Sequence, residues 1–178
     1  MYQLRELEKR DLERINIWRN DSELLALLGA PFRYINMEVD IEWYENYMSN
    51  RTNTIRCAIV EESRDEIIGL VSLTTIDFVN QSAEFHIMIG NSQDRGKGVG
   101  TFAVNAMLKH AFMNMNLQRV ELSLLEDNEA ARHLYEKCGF VYEGRKRRAK
   151  FKNGQFKDML MYSILRDERI RDRPSENI

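Results

Sequence analysis

Residues 83–101 read AEFHIMIGNSQDRGKGVGT. A strand-like run, Ala83 to Ile89, enters a loop holding Gly96, Gly98 and Gly100, and an apolar helix begins at once. A strand that turns into a helix N-terminus gathers unpaired backbone N–H groups at one point. That point suits a phosphate, because the amides and the helix dipole both favour negative charge. Glycines let the backbone approach a pyrophosphate closely, and Lys97 adds a positive charge. The stretch therefore predicts a mixed α/β domain with a phosphate-bearing ligand at a strand-to-helix turn.

Spacing selects among phosphate loops. A Walker A loop has four residues between its first glycine and Gly-Lys, followed by Ser or Thr. Here five residues separate Gly90 from Gly96-Lys97, and Gly98 follows the lysine. A dinucleotide fingerprint needs glycine three positions after Gly98, where Thr101 stands. The run Gln93-Asp94-Arg95-Gly96-Lys97-Gly98 instead fits Gln/Arg-x-x-Gly-x-Gly/Ala. It resembles the acetyl-CoA pyrophosphate site of the GNAT (GCN5-related) N-acetyltransferases.

A second block lies about thirty residues on. Asn128 to Phe140 reads NEAARHLYEKCGF, similar to the family's Asn-x-x-Ala-x-x-x-Tyr-x-x-x-Gly-Phe, with Asn128, Ala131, Tyr135, Gly139 and Phe140 matching. Asn128 starts a helix, Tyr135 lies two turns later on the same side, and Gly139 ends the helix in left-handed geometry. Taken alone, Asn128 reads as an N-cap and Tyr135 as a core tyrosine. The two blocks in order, around one strand, carry the resemblance over nearly the whole chain. WRNDSELL (Trp18–Leu25) and FKNGQFKDMLMYSIL (Phe151–Leu165) are similar to the RimJ/RimL-like branch, which acetylates ribosomal-protein N-termini, polyamines and amino-sugars.

The other elements follow from periodicity. Tyr2–Leu7, Arg56–Glu62, Ile67–Asp77, Ala83–Ile89, Val120–Leu125, Phe140–Lys152 and Phe156–Leu165 read as strands. Ser63-Arg64-Asp65 and Asn80-Gln81-Ser82 read as turns, and Asn153-Gly154 predicts a two-residue hairpin turn. Helices are expected from Asp11, acting as cap, to Asn20; from Ser22, also as cap, to Leu28; over Glu38–Ser49, with Ile41, Tyr44, Tyr47 and Met48 as the apolar stripe; from Val99 to about Met115; and over Asn128–Cys138. These elements predict an α/β domain on one sheet; the resemblance implies the GNAT fold, a single central, mixed, mostly antiparallel sheet flanked by helices. One domain is expected over residues 1–170, with a tail over 171–178.

The resemblance implies direct transfer of an acetyl group from acetyl-CoA to a primary amine. It places the co-substrate on the strand backbone at Ile87, Met88 and Ile89, and on the loop residues Gln93, Asp94, Arg95, Gly96, Lys97 and Gly98. Val99, Gly100 and Thr101 add the helix N-terminus; Asn128, Ala131 and Tyr135 complete the set. Backbone N–H groups near Met88 and Ile89 would polarise the thioester carbonyl. Tyr135 stands at the family's acid position. Glu84 is the candidate base and also faces the acceptor, because residues 84, 86 and 88 share one face of their strand while Phe85, Ile87 and Ile89 suit the core. Glu84 also reads as an exposed or arginine-paired carboxylate, and His86 as structural.

The acceptor site is expected to draw on Arg19, Asn20, Arg33 and Tyr34, with Asp21, Trp43 and Tyr44 nearby. Acceptors in view are a small-molecule amine (polyamine or amino-sugar) or a protein N-terminus. Polyamine enzymes of the branch carry acidic residues where this chain has Leu28-Gly29-Ala30-Pro31-Phe32, which weighs against a polyamine. No His, Asp, Glu or Cys spacing suits a metal.

Composition closes other classes. Two cysteines and 178 residues exclude a disulfide framework. The longest apolar stretch is too short to span a bilayer, and no secretory leader is evident, so a cytoplasmic protein without membrane partners is expected. The net charge of −2 hides a segregated distribution and weighs against general nucleic-acid binding. Residues 145–152, RKRRAKFK, hold six positive charges. Read as a strand, Arg145, Arg147, Ala149 and Phe151 share one face and Lys146, Arg148, Lys150 and Lys152 the other. The segment reads as an exposed hairpin guarded by lysines; the alternative is an acyl-CoA-binding or RNA- or ribosome-associated module that uses it. A homodimer is an expectation carried by the branch alone.

Overall fold

Among the described residues seven strands form one sheet, and their order explains how the two sequence blocks meet. β1 (Tyr2–Glu6), β2 (Ile55–Glu61), β3 (Ile67–Asp77) and β4 (Ser82–Ile89) pair antiparallel in succession. β4 then lies parallel to β5 (Arg119–Leu125), β5 pairs antiparallel with β7 (Gln155–Leu165), and β6 (Val141–Lys152) is the far edge. The computed structural model describes residues 1–63 and 66–171. The expected turn at Arg64-Asp65 and the tail from residue 172 lie outside the described residues.

Three helices, α1 (Leu12–Arg19), α2 (Ser22–Ala26) and α3 (Met37–Ser49), connect β1 to β2. α4 (Val99–Lys109), widening into a π-helical turn at His110–Asn114, carries the chain from β4 to β5. α5 (Glu129–Lys137) leads from β5 to β6, and α6 (Arg166–Arg171) follows β7.

Each face of the sheet buries its own core. On one face Val71, Leu73, Phe85 and Val120 pack against Ala103 and Met107 of α4 and Tyr135 of α5. On the other, Ala58, Val60 and Ile67 pack against Leu12, Ile15, Trp18, Leu24 and Tyr47. Burial of a side chain such as Leu12 or Ile15 contributes about 1.5–3 kcal/mol, so α1 to α3 are held by packing more than by propensity.

Several local expectations change. Asp11 does not cap the α-helix: its buried carboxylate takes the Glu8 N–H at 2.9 Å and pairs with the Arg5 guanidinium at 2.7–2.8 Å. Asp21, not Ser22, caps α2, its Oδ1 accepting from the N–H of Glu23 and Leu24. Met48 is exposed, because the stripe of α3 rotates off the sheet at its last turn. The Asn153-Gly154 turn forms as expected, with φ of +49° and +79°, the signs a type I′ turn requires.

The basic segment corrects a larger expectation. Register shifts between Tyr142 and Gly144 and between Lys146 and Lys150 break simple alternation in β6. Arg148 has φ of +49°, and its N–H binds Asp158 at 2.7 Å. Lys152 is buried rather than displayed: its ammonium donates to the carbonyl of Leu25 at 2.7 Å and to that of Ala30. It thereby adds a donor to the Leu25 carbonyl, which also accepts the Leu28 N–H at 3.2 Å.

Candidate active site

The candidate site forms where β4 and β5 part. The two strands pair only at Ser82–Arg119, Ala83–Val120 and Glu84–Glu121. Both continue beyond that point, β4 to Ile89 and β5 to Leu125, leaving a strand edge open between them. The Gly90 N–H binds the Ile68 carbonyl at 3.1 Å, which fixes the sense of the ladder. Backbone groups alternate along a strand, so Met88 is directed to β3 and the N–H groups of Ile87 and Ile89 face the opening. Gly90 is required by packing: a Cβ there would lie 1.9 Å from the Trp18 indole.

The glycine loop follows. Gly96 and Gly98 have φ of +74° and +85°, and a Cβ at either would meet open space. These two glycines therefore serve backbone conformation and leave room for a ligand to approach. α4 starts at Gly98 with no side-chain cap, so the N–H groups of Val99, Gly100 and Thr101 lack helical partners. Gly100 serves packing instead, since a Cβ would lie 2.8 Å from Leu134 of α5. Gln93 and Lys97 are exposed beside the turn. Arg95 is turned inward, donating to the carbonyls of Ile89 at 3.3 Å and Gly90 at 3.0 Å, and Asp94 accepts from Asn91. These two brace the loop.

Asn128 caps α5 through the Ala131 N–H at 3.1 Å and donates its Nδ2 to the Leu27 carbonyl at 2.9 Å. Tyr135 is buried, with its ring edge-on to Phe85 at 6.2 Å and Phe140 at 5.6 Å. Burial pushes its phenol well above the ordinary value, and the nearby Cys138 adds to the shift. The phenol therefore stays protonated at neutral pH.

Glu84 and His86 lie on the opposite face of β4, toward α1–α3. His86 Nε2 is 2.9 Å from Thr74 Oγ1 and 3.6 Å from Glu84 Oε2. Loss of hydration lowers the His86 pKa; Glu84 opposes this and Arg56 adds to it. Arg56, Ser72 and His86 are register partners across β2, β3 and β4. The Arg56 guanidinium stacks on Trp43 at 4.9 Å and Tyr47 at 5.7 Å. Glu84 stands beside Glu121, which shares the Arg119 guanidinium with Glu143.

The expected acceptor residues are distributed otherwise. Arg19 pairs with the fully buried Asp40, which also takes the Asn16 amide at 2.6 Å. Asn20 binds both the N–H and the carbonyl of Ile35. Arg19 and Asn20 thus fasten α3 and its approach to α1. Arg33 and Tyr34 are exposed, Tyr34 touching Phe32 edge-on. Thr74, Arg56 and Glu121 carry no local sequence signal, because cross-strand register alone brings them to Glu84 and His86.

Residues 2–141 match the sequence profile of the acetyltransferase (GNAT) domain. The chain is a member of the GNAT family. This acetyltransferase is 33% identical over 166 residues to the spermidine N(1)-acetyltransferase of Vibrio cholerae, covering 93% of each chain. It is 31% identical over 127 residues to the putative ribosomal N-acetyltransferase YdaF of Bacillus subtilis, covering 71% and 67%. The crystal structure of the Vibrio cholerae spermidine N-acetyltransferase with CoA and spermine superposes with a TM-score of 0.88 at 30% identity, covering 95% of this chain and 98% of that one. The fold is therefore the GNAT fold, and the activity is acetyl-CoA-dependent N-acetylation. Spermidine acetyltransferases are thus among the relatives of a chain that lacks acidic residues at 28–32. Among the described residues, no helix is long and apolar enough to cross a membrane, and no cluster of His, Cys, Asp and Glu could hold a metal ion.

Proposed function

We propose that this acetyltransferase transfers acetyl to a terminal amine of a small aliphatic polyamine. The observation that carries this reading is the Glu84–Glu121 pair, two partly exposed carboxylates side by side where β4 and β5 part. Adjacent like charges on a sheet face are unfavourable; Arg119 offsets Glu121, and a bound ammonium would offset Glu84. The likeness to the Vibrio cholerae spermidine N(1)-acetyltransferase over 93% of both chains supports the same acceptor class.

Acetyl-CoA supplies the acetyl group as an activated thioester, and the residues present fit it. The free N–H groups of Val99, Gly100 and Thr101, with Lys97, would hold the pyrophosphate. The N–H groups of Ile87 and Ile89 would pair with the pantetheine arm as an added strand does and draw charge onto the thioester oxygen. Glu84 lies on one face of the sheet and Tyr135 on the other, so the amine would enter the opening from the Glu84 side with the phenol behind it. Glu84 holds the ammonium; Tyr135 protonates the departing sulfur. An ordinary phenol, pKa about 10, gives its proton slightly uphill to a thiolate whose acid has a pKa near 8.5, and the burial of Tyr135 makes that transfer harder, so loss of the amide proton has to draw it forward.

Self-association belongs to the same reading. A Vibrio cholerae spermidine N-acetyltransferase is dodecameric, and β6 here is an edge strand that exposes Val141, Tyr142 and Phe151.

A thiol-release assay with acetyl-CoA and spermidine, a nucleotide-linked amino-sugar and a ribosomal N-terminal peptide tests the acceptor. Spermidine should give the highest kcat/KM. Preferred turnover of the amino-sugar or the peptide overturns the polyamine assignment and leaves acetyl transfer intact.

A further inference from the structure

We propose that His86, not Glu84 alone, takes the proton from the acceptor ammonium, with Thr74 fixing the ring and Glu84 stabilising the imidazolium. The inference rests on the acetyl-transfer reading and on the placement of Glu84 in that site. It does not depend on which amine is the acceptor.

The geometry supplies the argument. His86 follows Glu84 on the same face of β4, just past the last residue that pairs with β5. Its Nε2 faces both the Thr74 hydroxyl at 2.9 Å and a Glu84 oxygen at 3.6 Å. In the neutral ring with its proton on Nδ1, Nε2 accepts from the Thr74 O–H. Once Nε2 gains a proton, its N–H donates to Thr74 or Glu84, and the adjacent carboxylate stabilises the cation. The side chain is 49% exposed, which leaves the ring within reach of an incoming amine.

The backbone is arranged to make this contact. β3 slips register between Thr74 and Asp77, and Thr75 has φ of +49°. A β-branched residue is strained there, at a cost of order 1–3 kcal/mol. The bulge sets Thr74 opposite Glu84 and returns Ile76 to the core. Bulges commonly re-aim a side chain beside an active site.

Chemistry favours the imidazole. An alkylammonium has a pKa of about 10, against about 4.3 for glutamate and 6.5 for histidine. Transfer to an ordinary imidazole is therefore uphill by roughly two powers of ten less than transfer to an ordinary carboxylate. The groups around His86 act in opposite directions. Loss of hydration, and to a lesser extent Arg56 across Ser72 on β2, favour the neutral ring, while Glu84 on its own strand favours the charged form. Farther out, Glu121 on β5 is shared with Arg119, and Arg19 beyond Trp43 is paired with Asp40.

The step balances. The ammonium gives one proton to His86 Nε2, and the neutral amine forms the C–N bond as the C–S bond breaks. The sulfur gains a proton from Tyr135, and the amide nitrogen sheds its extra proton. Solvent restores the phenol and takes the imidazolium proton, so one proton is released overall.

The test is the pH dependence of kcat/KM for the fastest amine acceptor, in the wild type, His86→Gln, His86→Asn, Glu84→Gln and Thr74→Val. The wild type should lose activity on acidification through a group in the imidazole range. His86→Gln and His86→Asn should lack that limb, lower kcat by about 10²-fold, and bind acetyl-CoA as the wild type does. Thr74→Val should keep the limb at a displaced pH, and Glu84→Gln should keep it at lower pH with a raised KM. An unchanged acid limb in both His86 variants, whatever their KM or thermal stability, overturns the proposal. So does a limb lost in Glu84→Gln alone. Failure of spermidine as acceptor would leave this comparison intact.

Discussion

Tyr135 is the residue whose surroundings speak most directly to its chemistry. Its ring is locked between Phe85 and Phe140, so removing the hydroxyl should leave the packing in place. Tyr135→Phe is expected to lower kcat by about 10²–10⁴-fold, with a much smaller change in acetyl-CoA affinity by calorimetry. An unchanged kcat would remove Tyr135 from proton transfer. Glu143 gives a residue-scale prediction for stability. The Arg119 guanidinium, with a smaller contribution from Ser163, holds its carboxyl down at about 2 from an ordinary 4.5. A depressed carboxyl stabilises the fold above its unfolded pKa, and that contribution is lost as pH falls from about 4.5 toward 2. Both partners are partly exposed, so solvent screening limits it to about 1 kcal/mol or less. Denaturant melts at pH 6 and pH 3 should differ less for Arg119→Met than for the wild type. Equal pH dependence would mean that the pair carries no linkage.

Among the elements, the strand–loop–helix unit shows glycines with different duties, which spacing alone does not separate. Gly98 serves a left-handed backbone facing open space, whereas Gly90 admits the Trp18 indole. Gly98→Ala should cost about 1 kcal/mol of stability from backbone strain and weaken acetyl-CoA binding more than it lowers Tm. Gly90→Ala should cost about 3 kcal/mol or unfold the chain, because a core indole has to move. Thermal melts with and without acetyl-CoA separate the two: ligand should rescue Tm in Gly90→Ala, if it folds, more than in Gly98→Ala. The same scale explains the misplaced caps. Asp21 and Ser22 are adjacent and both are good caps; the Asp21 backbone is extended at φ −85° and ψ 105°, which orients its oxygen toward Glu23 and Leu24.

For the whole molecule, contact between the final hairpin and the first helices matters most. Lys152 reaches across from β6 to the carbonyls of Leu25 and Ala30, and Asn128 holds Leu27 from α5. The α2 end is thus fastened from two distant parts of the chain. Lys152→Met should keep the aliphatic bulk and lose about 1–3 kcal/mol with the two charge-assisted hydrogen bonds, read as a lower urea midpoint. No change would mean that water replaces the ammonium. The sequence by itself determined the strands, the order of the helices, the hairpin turn and the two blocks that carry the family likeness, because these rest on local periodicity, turn chemistry and short fixed spacings. It also placed Glu84 and His86 on one face, since strand alternation is local. Only the tertiary structure decided that Thr74 and Arg56 neighbour His86, that Glu121 adjoins Glu84, that Arg19 and Asn20 brace helices, and that one lysine of the basic run is buried. Those facts depend on strand register, bulges and packing between segments far apart in the chain, which no local pattern encodes.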